Sequence, residues 1–163
     1  MNLDKISKEI ESHIVLNQDV IDYCINSLED MSYINYNNLN EYQLEVLITN
    51  LCAFYDAKRE TNIILDKGKC LEIQAEKFME IYLSSPKTCL KKYSELDLII
   101  LSEVQYLKGA ENTQNCFFQI LKNMINNQKR IIILADKNPD ELSLDKDLIE
   151  IFSKMKLIDL RKS

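Results

Sequence analysis

The sequence predicts a three-layer α/β/α sandwich built on a mainly parallel, five-stranded sheet. Apolar runs of strand length alternate with helix-period segments about five times along the 163 residues. Several of these runs, LDLIILS (96–102) and KRIIILAD (129–136) among them, are nearly unbroken Ile/Leu stretches. Strands covered on both faces read this way, whereas half-exposed strands alternate apolar with polar residues. No internal repeat, low-complexity stretch or evident linker divides the chain, so residues 1–163 read as one domain.

Each element follows from its own spacing. Residues 3–13 predict a short amphipathic helix as an N-terminal extension. In QDVIDYCINSLE (18–29), Val20, Ile21, Cys24, Ile25 and Leu28 share one helical face. MSYINY (31–36) predicts a strand, and the polar NNLN after it a turn. Over 41–57, Leu44, Leu47, Ile48, Leu51 and Phe54 recur at helical spacing, with Asn40 placed to cap the first turn. TNIILD (61–66) predicts a buried strand, 72–84 a helix, and Pro86 the first turn of another helix. After the strand at 96–102, residues 111–127 align Phe117, Ile120, Leu121 and Met124 on one face of a helix. The strand at 129–136 follows, then a helix over 145–155 and a last short strand, KLIDL (156–160).

Composition narrows the function. The net charge of −6 and pI near 4.9 argue against broad, sequence-independent DNA binding, which needs a basic surface. A local basic patch or a protein partner remains open. No apolar run approaches the roughly 18–20 residues that span a bilayer, and the charged N-terminus lacks the apolar core of a secretory signal; a cytoplasmic protein is expected. The five cysteines, Cys24, Cys52, Cys70, Cys89 and Cys116, are widely spaced and give no zinc-type pair, so they read as buried free thiols. His13 is the one histidine, which leaves no histidine-based metal site or catalytic triad. The only glycines are Gly68 and Gly109, whereas a loop that converges backbone N–H groups on a phosphate needs several close together. No cofactor is expected.

Residues 96–142 carry a resemblance. Val104-Gln105-Tyr106, the segment from Gly109 to Gln114, Phe117-Phe118, Ile131 to Asp136 and Pro139 to Leu142 match in register the core of the bacterial replication initiator DnaA and its Hda-type relatives. Upstream, the strand–helix spacing is similar to the same nucleotide-binding core back to about residue 14. The resemblance implies a P-loop NTPase core of the AAA+ type, without room for the family's helical lid or its C-terminal DNA-binding domain.

Carried over residue by residue, the resemblance places Tyr36, Asn37, Asn38, Leu39, Asn40, Glu41, Tyr42 and Gln43 at the Walker A loop. That stretch has no glycine and no lysine, and it sets Glu41 where phosphate charge would have to be accepted. At the Walker B tip, Ser102 stands where the family keeps its magnesium aspartate, and Glu103 matches the water-activating acid. Asp136 aligns with a sensor aspartate. The arginine-finger segment corresponds to Asp147-Leu148-Ile149-Glu150-Ile151-Phe152, which has no arginine. The altered Walker A loop, Walker B tip and arginine-finger segment imply a degenerate ATPase that does not hydrolyse ATP, because phosphoryl transfer depends on the lysine and metal charges that are missing.

A core kept without its chemistry implies a binding role. The resemblance points to replication proteins as partners: the initiator DnaA, the replicative helicase or its loader, or the sliding clamp. The clamp-binding peptide of Hda-type proteins is not found in MNLDKISKEIES (1–12). Two alternatives stand beside this reading. Lys87, Lys91 and Lys92 beside Tyr93 combine backbone neutralisation with a stacking ring, as a DNA-binding accessory or helicase-loading adaptor would use them on single-stranded DNA. A divergent nucleotide-binding ATPase would need an unconventional loop at 36–43.

Overall fold

The computed structural model describes residues 18–60 and 69–162. Residues 18–27 are helical (α1). Then come β1 (Met31–Asn35), α2 (Glu41–Tyr55), β2 (Lys58–Arg59), β3 (Cys70–Gln74), α3 (Ala75–Ser84) and α4 (Pro86–Ser94). The second half holds β4 (Leu98–Ser102), α5 (Glu111–Asn126), β5 (Arg130–Ala135), α6 (Lys146–Ser153) and β6 (Lys156–Asp159). Short 3-10 turns follow β4 (Val104–Leu107), β5 (Pro139–Glu141) and β6 (Leu160–Lys162).

All strand pairings are parallel, in the order β2-β3-β4-β5-β1-β6. The unbroken Ile/Leu runs lie at the centre of this sheet, where both faces are covered. Along β5 the side chains alternate between two cores. Ile131 and Ile133 pack with Phe78, Tyr93, Phe117, Ile120 and Leu148 of α3 to α6. Ile132 and Leu134 pack with Ile21 of α1 and Leu44, Leu47 and Leu51 of α2. The alternation is the two-residue period of a pleated strand, here apolar in both directions.

Helix boundaries follow local chemistry. The side chain of Asn40 accepts from the Gln43 N–H and that of Gln43 from the Asn40 N–H, at 2.8 and 2.9 Å, a reciprocal capping box on α2. Asp56, left-handed at φ 53°, ends the same helix. Pro86 occupies the first turn of α4, as expected. Asp145 caps α6 through the Asp147 N–H at 2.9 Å.

The structure corrects the sequence reading in three places. The sheet has six strands among the described residues rather than five. The helix expected from residue 72 starts at Ala75, because Cys70–Gln74 is a strand. It ran unseen into the helical pattern behind it, since Leu71, Ala75 and Phe78 also fall at helical spacing. Helix α1 stops at 27, not 29. The strand expected at 61–66, the helix at 3–13 and His13 lie outside the described residues.

Two substitutions test this packing by urea unfolding. Phe117→Ala, which empties a fully buried site, is expected to cost about 3–5 kcal/mol. Asn40→Ala, which opens the capping box, is expected to cost about 1 kcal/mol.

Candidate functional site

In open parallel α/β sheets, ligands bind outside the C-terminal ends of the strands. Here that edge gathers the loop 36–40 after β1, the tip of β4 at Ser102-Glu103 and the tip of β5 at Asp136. It therefore brings together three of the regions singled out in the sequence.

The loop after β1 is closed on itself. Tyr36 is 7% exposed and belongs to the core. Asn37 and Asn38 form the turn, Asn40 caps α2, and Glu41 to Gln43 are its first residues. The backbone N–H groups in this stretch are mostly committed. Tyr36 donates to the Ala135 carbonyl at 2.9 Å, Leu39 to the Tyr36 carbonyl at 2.8 Å, and Leu44 to the Asn40 carbonyl at 2.9 Å. Asn37 N–H donates to its neighbour Asn35 Oδ1 at 3.0 Å. Asn40 and Gln43 use each other.

Side chains sew the loop to β5. Asn37 Nδ2 donates to the Asp136 carbonyl at 3.0 Å, and Asn35 Nδ2 to Asn138 Oδ1 at 2.8 Å. The Tyr33 hydroxyl donates to the Lys137 carbonyl at 2.6 Å. Gln105 bridges the strand tips: its Nε2 donates to the Tyr36 hydroxyl at 2.7 Å, and its Oε1 accepts from the Asp136 N–H at 3.4 Å. Burial pushes the Tyr36 and Tyr33 hydroxyls far above the usual phenol range, so both stay protonated donors or acceptors at any ordinary pH.

The tip of β4 is held differently. Ser102 is fully buried, and its hydroxyl donates to Glu72 Oε1 at 3.0 Å. Glu72, on the neighbouring strand β3, is only 2% exposed. Its other oxygen accepts from Arg59 Nε at 3.2 Å, and the Arg59 guanidinium also forks onto Glu45 of α2. A chain Glu45–Arg59–Glu72–Ser102 thus runs from solvent into the sheet. Burial raises the Glu72 carboxyl, and Arg59 followed by Ser102 pulls it partly back. Sequence reasoning missed Glu72, Arg59 and Glu45. The available signal was Glu72 between Leu71 and Ile73, a charge inside an apolar strand run, hidden by the helical reading of 72–84.

Glu103 follows Ser102 in the left-handed region at φ 58°, a conformation that costs a non-glycine residue free energy. Its carboxyl is raised, first by burial and then by repulsion from Glu76, Glu41, Glu72 and Asp136. Asp136 keeps one carboxylate oxygen, Oδ1, buried without a hydrogen-bond partner. Among the described residues, no group of His, Cys, Asp or Glu is arranged to hold a metal ion.

The lysine patch stands only in part. Lys87, Lys91 and Lys92 are exposed on α4. Tyr93 is not a stacking surface: it is 1% exposed, and its ring packs edge-on against Phe78 at 5.5 Å. On a helix whose lysines face water, Cys89 and Tyr93 four residues apart define the opposite, buried face. Residues 147–152 lie in α6, with Leu148 and Phe152 in the core. No described helix is long and apolar enough to cross a membrane.

The bacterial DnaA ATPase domain matches residues 57–158. The chromosomal replication initiator protein DnaA of Mycoplasma genitalium is 34% identical over 73 residues, covering 44% of this chain and 17% of that protein. That of Wolbachia sp. subsp. Brugia malayi is 28% identical over 81 residues, covering 47% and 18%. The matches therefore span under a fifth of those relatives' length. Among solved structures, a replication initiator DnaA bound to AMPPCP and single-stranded DNA superposes with a TM-score of 0.62 at 21% identity, over 88% of this chain and 45% of that one. Domain III of Thermotoga maritima DnaA gives 0.60 at 16% identity, over 91% and 61%. At these identities the superpositions establish the fold.

The buried pair gives a measurable signature. Arg59→Ala strands the Glu72 carboxylate and is expected to cost roughly 2–3 kcal/mol, less than a fully buried pair because Arg59 is one-third exposed. The sign with pH follows from the raised carboxyl: protonation favours the folded state, so stability from this group is present in acid and is lost as pH rises from the ordinary glutamate value through the raised one. The loss is expected to steepen in Arg59→Ala and to vanish in Arg59→Ala/Glu72→Gln, measured by urea unfolding at a series of pH values.

Proposed function

This chain belongs to the family of bacterial DnaA ATPase domains, and we propose that it is a member that keeps the fold without hydrolysing ATP. It acts in the cytoplasm by protein–protein contacts in the regulation of chromosomal replication initiation. Its partners are replication proteins: the initiator DnaA, the replicative helicase or the sliding clamp.

One observation carries the non-catalytic reading. At the strand tip where the family's metal acid is expected, Ser102 is buried and its hydroxyl is committed to Glu72, a carboxylate already neutralised by Arg59. Charge stabilisation at that tip is supplied from within the protein. The loop after β1 supports the same reading, because most of the donors that would cradle a phosphate are used internally and Glu41 stands in the first turn of α2. The residues present do not fit a magnesium-nucleotide. A helix N-terminus favours an anion through its free N–H groups and dipole, and here a carboxylate and a capping box already serve both.

A second reading rests on the exposed lysines of α4. Lys87, Lys91 and Lys92 present three cations without an acidic residue in the first turn, which suits backbone contact with single-stranded DNA in a DNA-binding accessory or helicase-loading adaptor. With Tyr93 buried, such binding would be electrostatic and steeply salt-dependent.

Three measurements separate these readings from a divergent ATPase. Millimolar Mg-ATP is expected to leave the melting temperature unchanged, whereas a 100-fold excess over a real dissociation constant would stabilise by about 2.7 kcal/mol. The purified chain is expected to associate with the cognate initiator, helicase or clamp at micromolar concentration in analytical gel filtration; no association with any of the three would overturn the protein-contact role. Tight oligonucleotide binding that weakens with salt and is lost in Lys91→Glu/Lys92→Glu would instead establish the second reading.

A further inference from the structure

We infer, within the protein-contact reading above, that the groove between α3 and the start of α5 is the docking site of an acidic amphipathic helix supplied by a protein partner. Met79, Tyr82, Leu83 and Pro86 fall at i, i+3, i+4 and i+7 and form one wall, running from α3 onto the first residue of α4. Gly109, Ala110 and the first residues of α5 form the other. The space between them is about 520 Å³, within the roughly 300–1,000 Å³ of ligand pockets.

The shape and polarity of this groove fit an apolar helix face. A surface helix normally turns one apolar stripe to the core and a polar face to water. Helix α3 fills the core with Ala75, Phe78 and Ile81. It carries a second apolar stripe outward, where Leu83 is 71% exposed and Met79 and Tyr82 are half-buried. Two apolar stripes on one helix suit a helix packed on both sides, and the i, i+3, i+4, i+7 spacing is the one along which a second helix lies. On the opposite wall Gly109 is left-handed at φ 83°, and a Cβ there would meet no atom within 4 Å, so a partner can approach that backbone closely.

Charge sets the chemistry of the partner. Lys87 adjoins Pro86 on one wall, with Lys91 one turn farther along α4, and Lys108 adjoins Gly109 on the other. All three are exposed, and among the described residues none of them forms an ion pair. The uncapped N-terminus of α5, at Ala110, adds partial positive charge to the same wall. Against these, Glu111 is the one acid lining the groove, and Glu80 beside the stripe is already paired with Lys77 at 3.1 Å. Carboxylates on the flanks of a docked helix meet the lysines while its apolar face covers Leu83 and Met79. Single-stranded DNA would engage the lysines but leave Leu83 and Met79 unmatched, because bases stack on aromatic rings and the one ring lining the groove, Tyr82, is half-buried.

The test titrates the folded, isotope-labelled chain with a synthetic amphipathic peptide, leucines at i, i+3, i+4 and i+7 and glutamates on its flanks, and follows the backbone amides by NMR. Saturable shifts are expected at 79–86 and 109–113. Leu83→Glu, at an exposed position, is expected to weaken binding at least about tenfold, the scale of losing one buried leucine. Lys87→Glu/Lys108→Glu is expected to weaken it as well, and a peptide with lysine in place of glutamate to bind more weakly than the acidic one. No binding of the acidic peptide at millimolar concentration, shifts confined to other residues, equal affinity for the lysine peptide, or indifference to Leu83→Glu would overturn the inference. An oligothymidylate that displaces the peptide from these amides and still binds Leu83→Glu would assign the groove to nucleic acid and overturn it too. Gel filtration with the initiator, helicase and clamp separates the two levels. Association that Leu83→Glu leaves undiminished would overturn the groove and leave the protein-contact role standing. No association of the wild type with any of the three would overturn that role, and the peptide titration then decides the groove alone.

Discussion

The buried carboxylate of Glu72 is the constraint around which this end of the sheet is arranged. A charge in the middle of a parallel sheet cannot be left to water, and an unpaired one costs several kcal/mol. Arg59 supplies the counter-charge from the edge strand β2, a strand of two residues held to β3 beside that carboxylate. Arg59 is in turn oriented by Glu45 of α2, so the helix after β1, the sheet edge and the β4 tip are tied through one guanidinium. The second carboxylate oxygen needs a donor, and Ser102 provides it. Read in this direction, a serine at the β4 tip is what the interior requires: an aspartate there would place two buried carboxylates in contact.

The same economy of donors holds on the neighbouring strands. The tips of β1 and β5 are joined by Gln105, Asn35, Asn37 and Tyr33. Where a nucleotide-binding core must leave backbone N–H groups free to receive an anion, this edge satisfies most of them with its own carbonyls and amides. Acidic groups remain around it. Glu103, crowded by Glu76, Glu41 and Asp136, makes the edge negative, so a polyphosphate would meet repulsion instead of the positive field that phosphate sites use.

Most of the fold was legible because both faces of the sheet are covered. Unbroken runs such as LIILS and RIIILA have no other comfortable environment than a central strand, and Asn40 and Pro86 mark helix starts by chemistry that does not depend on tertiary context. The strand at Cys70–Gln74 was not legible. Its Glu72 belongs to a long-range ion pair with Arg59, thirteen residues away, and no local pattern announces such a partner. Of the candidate site, the sequence displays directly only that 36–43 contains neither glycine nor lysine. The contacts around it were not legible, because strand-tip bridges and the Ser102–Glu72 contact arise only when distant segments meet. Tyr93 shows the converse error: beside three lysines in sequence, it reads as part of their surface, yet helical geometry turns it to the core.

The measurement that bears most directly on the account is amide hydrogen exchange across residues 36–44 and 101–105, with and without millimolar Mg-ATP. The account predicts that Tyr36, Asn37, Leu39, Asn40, Gln43 and Leu44 are protected in the free protein by the internal bonds described above and that the nucleotide changes none of them. Fast exchange of these amides in the free protein, slowed when Mg-ATP is added and accompanied by new protection at Ser102 and Glu103, would contradict it and return the edge of the sheet to nucleotide binding.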